Sequence, residues 1–401
     1  MRFTHNNGWL LTAAVAASIL SGCGGSSSNT PVVHPSSLAA VSSPAAGPAQ
    51  TANAVVDTFV QGMMKEGEIP GLSLAVVEKG KLIYSKAYGY ANLARATPVT
   101  TDHTFQIGSI TKSFVAVAVM LLAEDGKIKL DDPISTYLGP VPAAWEAITV
   151  RHFLNHTSGM PEDFAKNDLE AVWSRPGDAE FLALAKKYSL LSTPGAAYSY
   201  SNTGFNLLGI IIAKASGKSY GQFLQERIFG PLAMNATRVM HPKDSLAGVA
   251  TGYIKNGGRI EEATPPASTR SYLGGAASGI ESTPQDMAKF EAALHAGVLP
   301  SLTSQTEMWK NSVQVQAPVS AADTGIFYGL GWFMSTVDGY RKVYHSGGMP
   351  SYSSDFIRYP REGISVIVLT NQGYTRREHQ LISRKVAQLF RPGLPYCCDP
   401  K

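Results

Sequence analysis

Ser109-Ile110-Thr111-Lys112 sets a hydroxyl and an amine three residues apart. On a helix that spacing puts both side chains on one face. Near a buried helix N-terminus, the dipole and the loss of water both disfavour a charged ammonium. A neutral Lys112 can take the proton of Ser109 and make it a nucleophile. The bland alternative is a Ser N-cap on a core helix with a solvated Lys. Tyr200-Ser201-Asn202 offers a phenol to shuttle a proton and an amide to meet a substrate amide. Its alternative is a buried aromatic in a loop. His345-Ser346-Gly347-Gly348 reads as the end of a strand, with two glycines that admit a substrate close to the backbone. A backbone N–H there can join that of Ser109 to hold an oxyanion. A plain hairpin turn is the competing reading.

Three similar strings read as structural. Tyr90-Ala91-Asn92 lies upstream of Ser109 at the end of a strand signal. His295-Ala296-Gly297 follows a helical stretch and reads as its C-terminal stop. Gly217-Lys218-Ser219-Tyr220-Gly221 has the G-x-S-x-G form, but that chemistry requires a strand before the turn. A helix precedes it here, so Ser219 reads as an N-cap. The nine His residues form no H-E-x-x-H or Cys/His pattern. No metal, phosphate loop or dinucleotide site is indicated, and no cofactor is expected.

These residues need elements to hold them. Apolar spacing predicts a helix over 53–65, strands over 72–78 and 82–88, and a strongly apolar helix over 109–123. From 127 to 275 the signals are short helices and Gly/Pro-rich loops, the clearest helices being 205–215 and 220–229. Strands are predicted at 328–335, 342–345, 354–359 and 364–370, then a closing helix at about 377–390. Strands at both ends and helices between them predict an α+β fold. One sheet is built from both termini, with a helical region inserted.

The chain has 401 residues, of which 44% are hydrophobic and 16% charged. That excludes a wholly disordered chain. The net charge of +4 is scattered, which argues against a nucleic-acid partner. Trp9–Leu20 is apolar but shorter than the ~18 residues a membrane span needs. With Arg2 ahead of it, residues 1–22 read as a signal peptide. Leu20-Ser21-Gly22-Cys23 resembles the lipobox of bacterial lipoproteins, which implies cleavage before Cys23 and its acylation. Residues 23–52 then form the lipidated Cys and a charge-free Ser/Pro/Ala/Gly tether. The folded domain is expected at 53–390 and a tail at 391–401. Cys397 and Cys398 are neighbours, too close for an unstrained bridge, and read as part of a frayed end. By the lipobox resemblance Gly24 carries no inner-membrane retention signal. The expected location is the bacterial cell envelope, on the periplasmic face of the outer membrane, within reach of peptidoglycan.

The order Ser-x-x-Lys, Tyr-x-Asn, His-Ser-Gly resembles the serine β-lactamase and penicillin-binding superfamily, in its class C β-lactamase and DD-peptidase branch. Flanking strings agree: 105–112, Leu154-Asn-His-Thr-Ser-Gly159, 201–204 and Gly329-Leu-Gly-Trp332. The resemblance implies an antiparallel sheet flanked by helices, with an all-helical region and the nucleophile at their junction. It makes Ser109 the acylated nucleophile, Lys112 its activator and Tyr200 the acid–base partner. Asn202, His345, Ser346 and Gly347 would contact substrate, and the Ser109 and Gly348 amides would form the oxyanion hole. One departure stands out. Class C β-lactamases carry Lys-Thr-Gly where this chain has His345-Ser346-Gly347. A His near its ordinary pKa is mostly neutral at pH 7. Recognition of a β-lactam carboxylate is then weakened, and turnover is expected to depend on pH near neutrality through His345. Arg270, Arg341 and Arg358 are candidates to replace the missing cation. The expected activity is a serine hydrolase acting on a D-Ala-terminated peptide or a short ester. A class C-like β-lactamase is the second reading. A catalytically silent wall-binding lipoprotein is the third.

Overall fold

Residues 111–122 are all apolar or small except Lys112, and all are buried in the helix they form, α2 (Thr111–Glu124). A helix apolar all round must be enclosed on every side. Around it the computed structural model describes residues 48–163, 177–241, 244–263, 275–373, 375 and 377–396. The other long helices are α1 (Pro48–Gly67), α3 (Asn202–Ser216), α4 (Pro284–Ala296) and α5 (Glu378–Phe390). The first begins five residues before the expected domain start at Asn53.

The early strands are β1 (Gly71–Glu78), β2 (Lys81–Asn92), β3 (Thr97–Pro98) and β4 (Phe105–Gln106). Short strands β5 (Arg238–Val239), β6 (Tyr253–Asn256), β7 (Arg259–Glu262) and β8 (Ile280–Ser282) follow. The last six are β9 (Val313–Gln316), β10 (Asp323–Tyr328), β11 (Phe333–Val337), β12 (Tyr340–Met349), β13 (Tyr352–Tyr359) and β14 (Ile364–Thr370). Nine of them make one sheet in the order β3-β2-β1-β14-β13-β12-β11-β10-β9. Each of its strand pairs is antiparallel. The first long strand, β1, lies beside the last, β14, so the two ends of the chain meet in one sheet as the sequence predicts.

Side chains alternate between the two faces of a strand. On β1, Ala75 and Val77 join the core that holds α2, α3 and α4, whereas Leu74 and Val76 join the core under α1 and α5. The first core therefore binds the sheet to the helical region, and the second closes its back.

Two expectations change here. Residues 328–335 are not one strand. They turn at Gly329–Trp332, and β10 and β11 pair as a hairpin. Gly331 has φ +74°, and a Cβ on it would lie 2.8 Å from the Lys112 carbonyl oxygen and 2.6 Å from Ala116 Cβ. Only glycine lets this turn lie against the first turns of α2. Likewise His345–Gly348 does not end a strand. It lies inside β12, paired to β13 through Gly348↔Ser353, and the hairpin turns beyond Met349.

Candidate active site

The turn Gly108–Ile110 is a single 3-10 turn ahead of α2, and it carries Ser109 half-buried at the edge of the core. Ser109 does not cap the helix. The N-cap position belongs to Ile110, with no side-chain cap bond. The Ser109 hydroxyl instead lies 3.0 Å from Lys112 Nζ and 2.9 Å from the Tyr200 hydroxyl. Lys112 is in the first turn of α2, and Thr111 beside it fixes that turn by accepting from Ile280 N at 3.2 Å. Tyr200 and Asn202 flank Ser201, the N-cap of α3, whose hydroxyl accepts from Gly204 N. Two distant segments, 109–112 and 200–202, thus meet at one oxygen.

Lys112 is fully buried, yet none of its hydrogen-bond partners is a carboxylate. Its Nζ also donates to Asn202 Oδ1 and to the Ala277 carbonyl, each at 2.8 Å. The rings of Tyr200 and Phe205 lie 4.8 and 5.5 Å from it. Burial lowers its pKa from 10.5 to about 7, against the smaller opposing pull of Asp163 and Glu162. A neutral amine has two N–H bonds and one lone pair. Asn202 and Ala277 take the two hydrogens, and the lone pair is left for the proton of Ser109. Tyr200 is the opposite case. Burial, above all, pushes its phenol far up, with smaller contributions from Tyr198, Glu162 and Asp163. Tyr200 keeps its proton and donates to Ser109, which leaves Lys112 as the candidate base.

The expected oxyanion side lies along β12. A Cβ on Gly347 would fall 2.0 Å from the Ile107 carbonyl oxygen and 2.4 Å from Ser354 Oγ. Gly347 is therefore glycine to admit the chain's own backbone, not a substrate as the sequence suggested. Its neighbour Gly348 is exposed with open space at the Cβ position. The Gly348 nitrogen lies beside Gly108, 3.0 Å from where a Cβ there would be. That places the amide next to the turn that carries Ser109.

His345 does not point a titrating group at substrate. It is buried, on the same face of β12 as Val343, and its Nε2 lies 3.0 Å from the Tyr328 hydroxyl. Its Nδ1 lies 2.7 Å from the Ser346 carbonyl, so that nitrogen carries the hydrogen. Burial, then the charge on Lys112, lowers its pKa to about 3. Its burial and its two hydrogen-bond partners favour the neutral ring, which argues against the expected pH dependence through His345. Ser346 lies on the opposite face. It donates to Asp355 at 2.7 Å and accepts from Gln380 of α5 at 2.8 Å. Asn202 is on Lys112 rather than open to substrate, and its Nδ2 donates to Asp163 at 3.2 Å.

The candidate cations divide. Arg358 is buried against Glu291, with its guanidinium over the rings of Trp309 and Trp332. Arg341 donates to the Trp309 carbonyl. Arg270 lies outside the described residues, as do Cys23, Cys397 and Cys398. The look-alike strings are structural. Ser219 is an N-cap in a capping box with Gln222, and Gly297 ends α4 in the left-handed region. Tyr90 is on the outer part of the sheet, in β2.

Sequence reasoning did not assign three contributors. The Ala277 carbonyl is a backbone group and leaves no side-chain signal. Asp163 sits beyond the Leu154–Gly159 string. His156, inside that string, lies tilted against the Tyr200 ring, centroids 4.3 Å apart.

Comparison with known proteins agrees with the geometry. The family described as Beta-lactamase matches residues 56–389. Penicillin-binding protein 4 of Bacillus subtilis is 30% identical over 355 residues, covering 85% of this chain and 76% of that protein. The octameric penicillin-binding protein homologue from Pyrococcus abyssi superposes with a TM-score of 0.73 at 30% identity, over 84% of this chain and 77% of that one. A penicillin-binding protein from Bacillus halodurans gives 0.69 at 25% identity, over 80% and 97%.

Proposed function

We propose that this chain, which belongs to the beta-lactamase family, is a serine hydrolase that works through an acyl-enzyme on a small ester or amide. The carrying observation is the triangle of Ser109, Lys112 and Tyr200 around one hydroxyl oxygen. Neutral Lys112 takes the Ser109 proton as Oγ attacks the substrate carbonyl. The carbonyl oxygen gains the negative charge, and the amides of Ser109 and Gly348 hold it. Tyr200 gives its proton to the leaving group as the carbonyl–leaving-group bond breaks, and the proton on Lys112 replaces it. Water then reverses the sequence and frees the acid.

A short acyl ester fits this site better than a substrate with a carboxylate beside the reacting carbonyl. Where class C β-lactamases have a cation, this site has a buried neutral imidazole, and Arg341 and Arg358 are engaged elsewhere. A D-Ala-terminated wall peptide remains the second substrate class, supported by the relatives' names. An anchor through acylated Cys23 would hold the domain in the envelope, near that peptide.

The test is intact-protein mass of the purified full chain after brief exposure to benzylpenicillin, with a panel of short acyl esters in parallel. Ser109→Ala is the control. Ester turnover lost in the variant supports the reading. A stable penicillin adduct absent from the variant moves the assignment to the peptide. Neither turnover nor adduct, with wall fragments still bound, would leave a silent binding protein. Radiolabelled fatty acid retained by the wild type and lost in Cys23→Ala would support the anchor, and equal labelling would remove it.

A further inference from the structure

His156 is buried and has φ +59°, a left-handed conformation that a side-chain-bearing residue rarely adopts. The conformation has a local consequence. The His156 carbonyl accepts from Ser199 N at 2.8 Å, and its Nδ1 accepts from Ser201 N at 3.0 Å. One residue therefore holds both neighbours of Tyr200. Its ring also lies against four aromatics: Tyr200 at 4.3 Å, Tyr328 at 4.6 Å, Phe205 at 5.0 Å and Tyr198 at 5.9 Å. Tyr328 is in turn held by its hydroxyl to His345. A column of rings runs from β12 to the phenol.

The protons on this column are set by its partners. His156 Nδ1 accepts a backbone N–H, so it carries a lone pair, and the ring hydrogen is on Nε2. His345 has the reverse tautomer, with its hydrogen on Nδ1 toward Ser346. Tyr328 must then donate to His345 Nε2. Among the described residues, His156 Nε2 has no hydrogen-bond partner. Leaving such a donor unpaired in the interior costs stability. Protonating His156 would add an N–H opposite the Ser201 N–H and break the clamp. Burial and the nearby Lys112 prevent it by holding the pKa well below the ordinary value.

We propose that His156 is the positioning residue for Tyr200: by clamping Ser199 and Ser201 and backing the ring, it keeps the phenol on Ser109 Oγ. It touches neither substrate nor the reacting atoms. This rests on the hydrolase reading only for its kinetic readout.

The experiment uses two substitutions in the full chain. His156→Asn keeps an acceptor at the Nδ1 position and tolerates the left-handed backbone. His156→Phe keeps the ring and removes the acceptor. In His156→Phe, kcat for a short acyl ester should fall about 100-fold, the scale of a small misplacement, with KM changed less than about threefold. His156→Asn should stay within about tenfold of the wild type. In a Tyr200→Phe background the His156→Phe loss should shrink to under about threefold, because the residue it positions has lost its function. A merely structural role would give the same loss in both backgrounds, and that result overturns the proposal. So does a greater than about 100-fold loss in His156→Asn, which decides the matter even if His156→Phe fails to fold. The crystal structure of the Phe variant gives a readout independent of turnover. A Tyr200–Ser109 separation beyond ~3.5 Å supports the proposal, and one kept at hydrogen-bond distance contradicts it. If the wild type hydrolyses no ester, the short-ester reading fails, and this separation still tests the clamp.

Discussion

Two of the cations buried among the described residues, Arg358 and Lys112, are treated in opposite ways. Arg358 is given a carboxylate. Glu291 pairs with it inside the core, and Trp309 and Trp332 enclose the guanidinium. Lys112 is denied one. Its contacts are a hydroxyl, an amide oxygen and a carbonyl, and the carboxylates of Glu162 and Asp163 act only at longer range. A compensated charge stays charged and holds structure. An uncompensated one gives up its proton near neutrality, and is ready to take another. The two sites differ in the head group as well as in the carboxylate: a guanidinium keeps its proton, and a buried amine can lose its own.

That contrast can be broken most sharply at Lys112. Lys112→Met should lower kcat/KM for a short ester by about 10³–10⁴, measured at pH 7. The same change removes a burial cost. Lys112 has a folded pKa of about 7 against an ordinary 10.5. The unfolded chain binds the proton more tightly between those values, so stability rises with pH across that window. The cost is fully expressed below about pH 7. Calorimetry should show wild-type Tm rising between pH 7 and pH 10 relative to the Met variant. Equal pH dependence would count against a perturbed lysine.

Next comes the other cation. Glu291→Gln should destabilise by about 3–5 kcal/mol in denaturant titration, because Arg358 is left buried without its counter-charge. Its kcat should match the wild type in the folded protein. A catalytic defect with intact stability would mean the two cations are not separate in function.

A smaller effect is expected at His345. His345→Phe removes the acceptor for the Tyr328 hydroxyl and should destabilise by about 1–3 kcal/mol. The midpoint of the pH–rate profile should not move, since the imidazole is neutral throughout that range. A shifted midpoint would restore His345 as a titrating group.

Much of this was legible in the sequence. Ser109 and Lys112 were, because helical spacing fixes their shared face, and the apolar run behind them fixes the burial. The sheet joining both ends was too, because β1 and β14 are short, mostly apolar runs toward the two ends of the domain. The orientation of His345 was not. Its neighbours along β12 do not say which face meets the core until β13 and the Tyr328 side chain are placed. The turn at Gly329–Trp332 was hidden by its apolar flanks, which read as one strand, while its reason lies in the distant backbone of Lys112. The third partner of Lys112, the Ala277 carbonyl, belongs to a backbone that every residue has.

The most direct test of the account is the rate at which Ser109 is acylated, followed by mass as a function of pH with an ester or a fluorophosphonate probe. The account predicts a rate that rises with pH, with a midpoint near the Lys112 value of about 7, and a plateau above it. The midpoint should disappear in Lys112→Met. A rate that is flat through neutrality, or that falls as pH rises, would show that Lys112 is not the base.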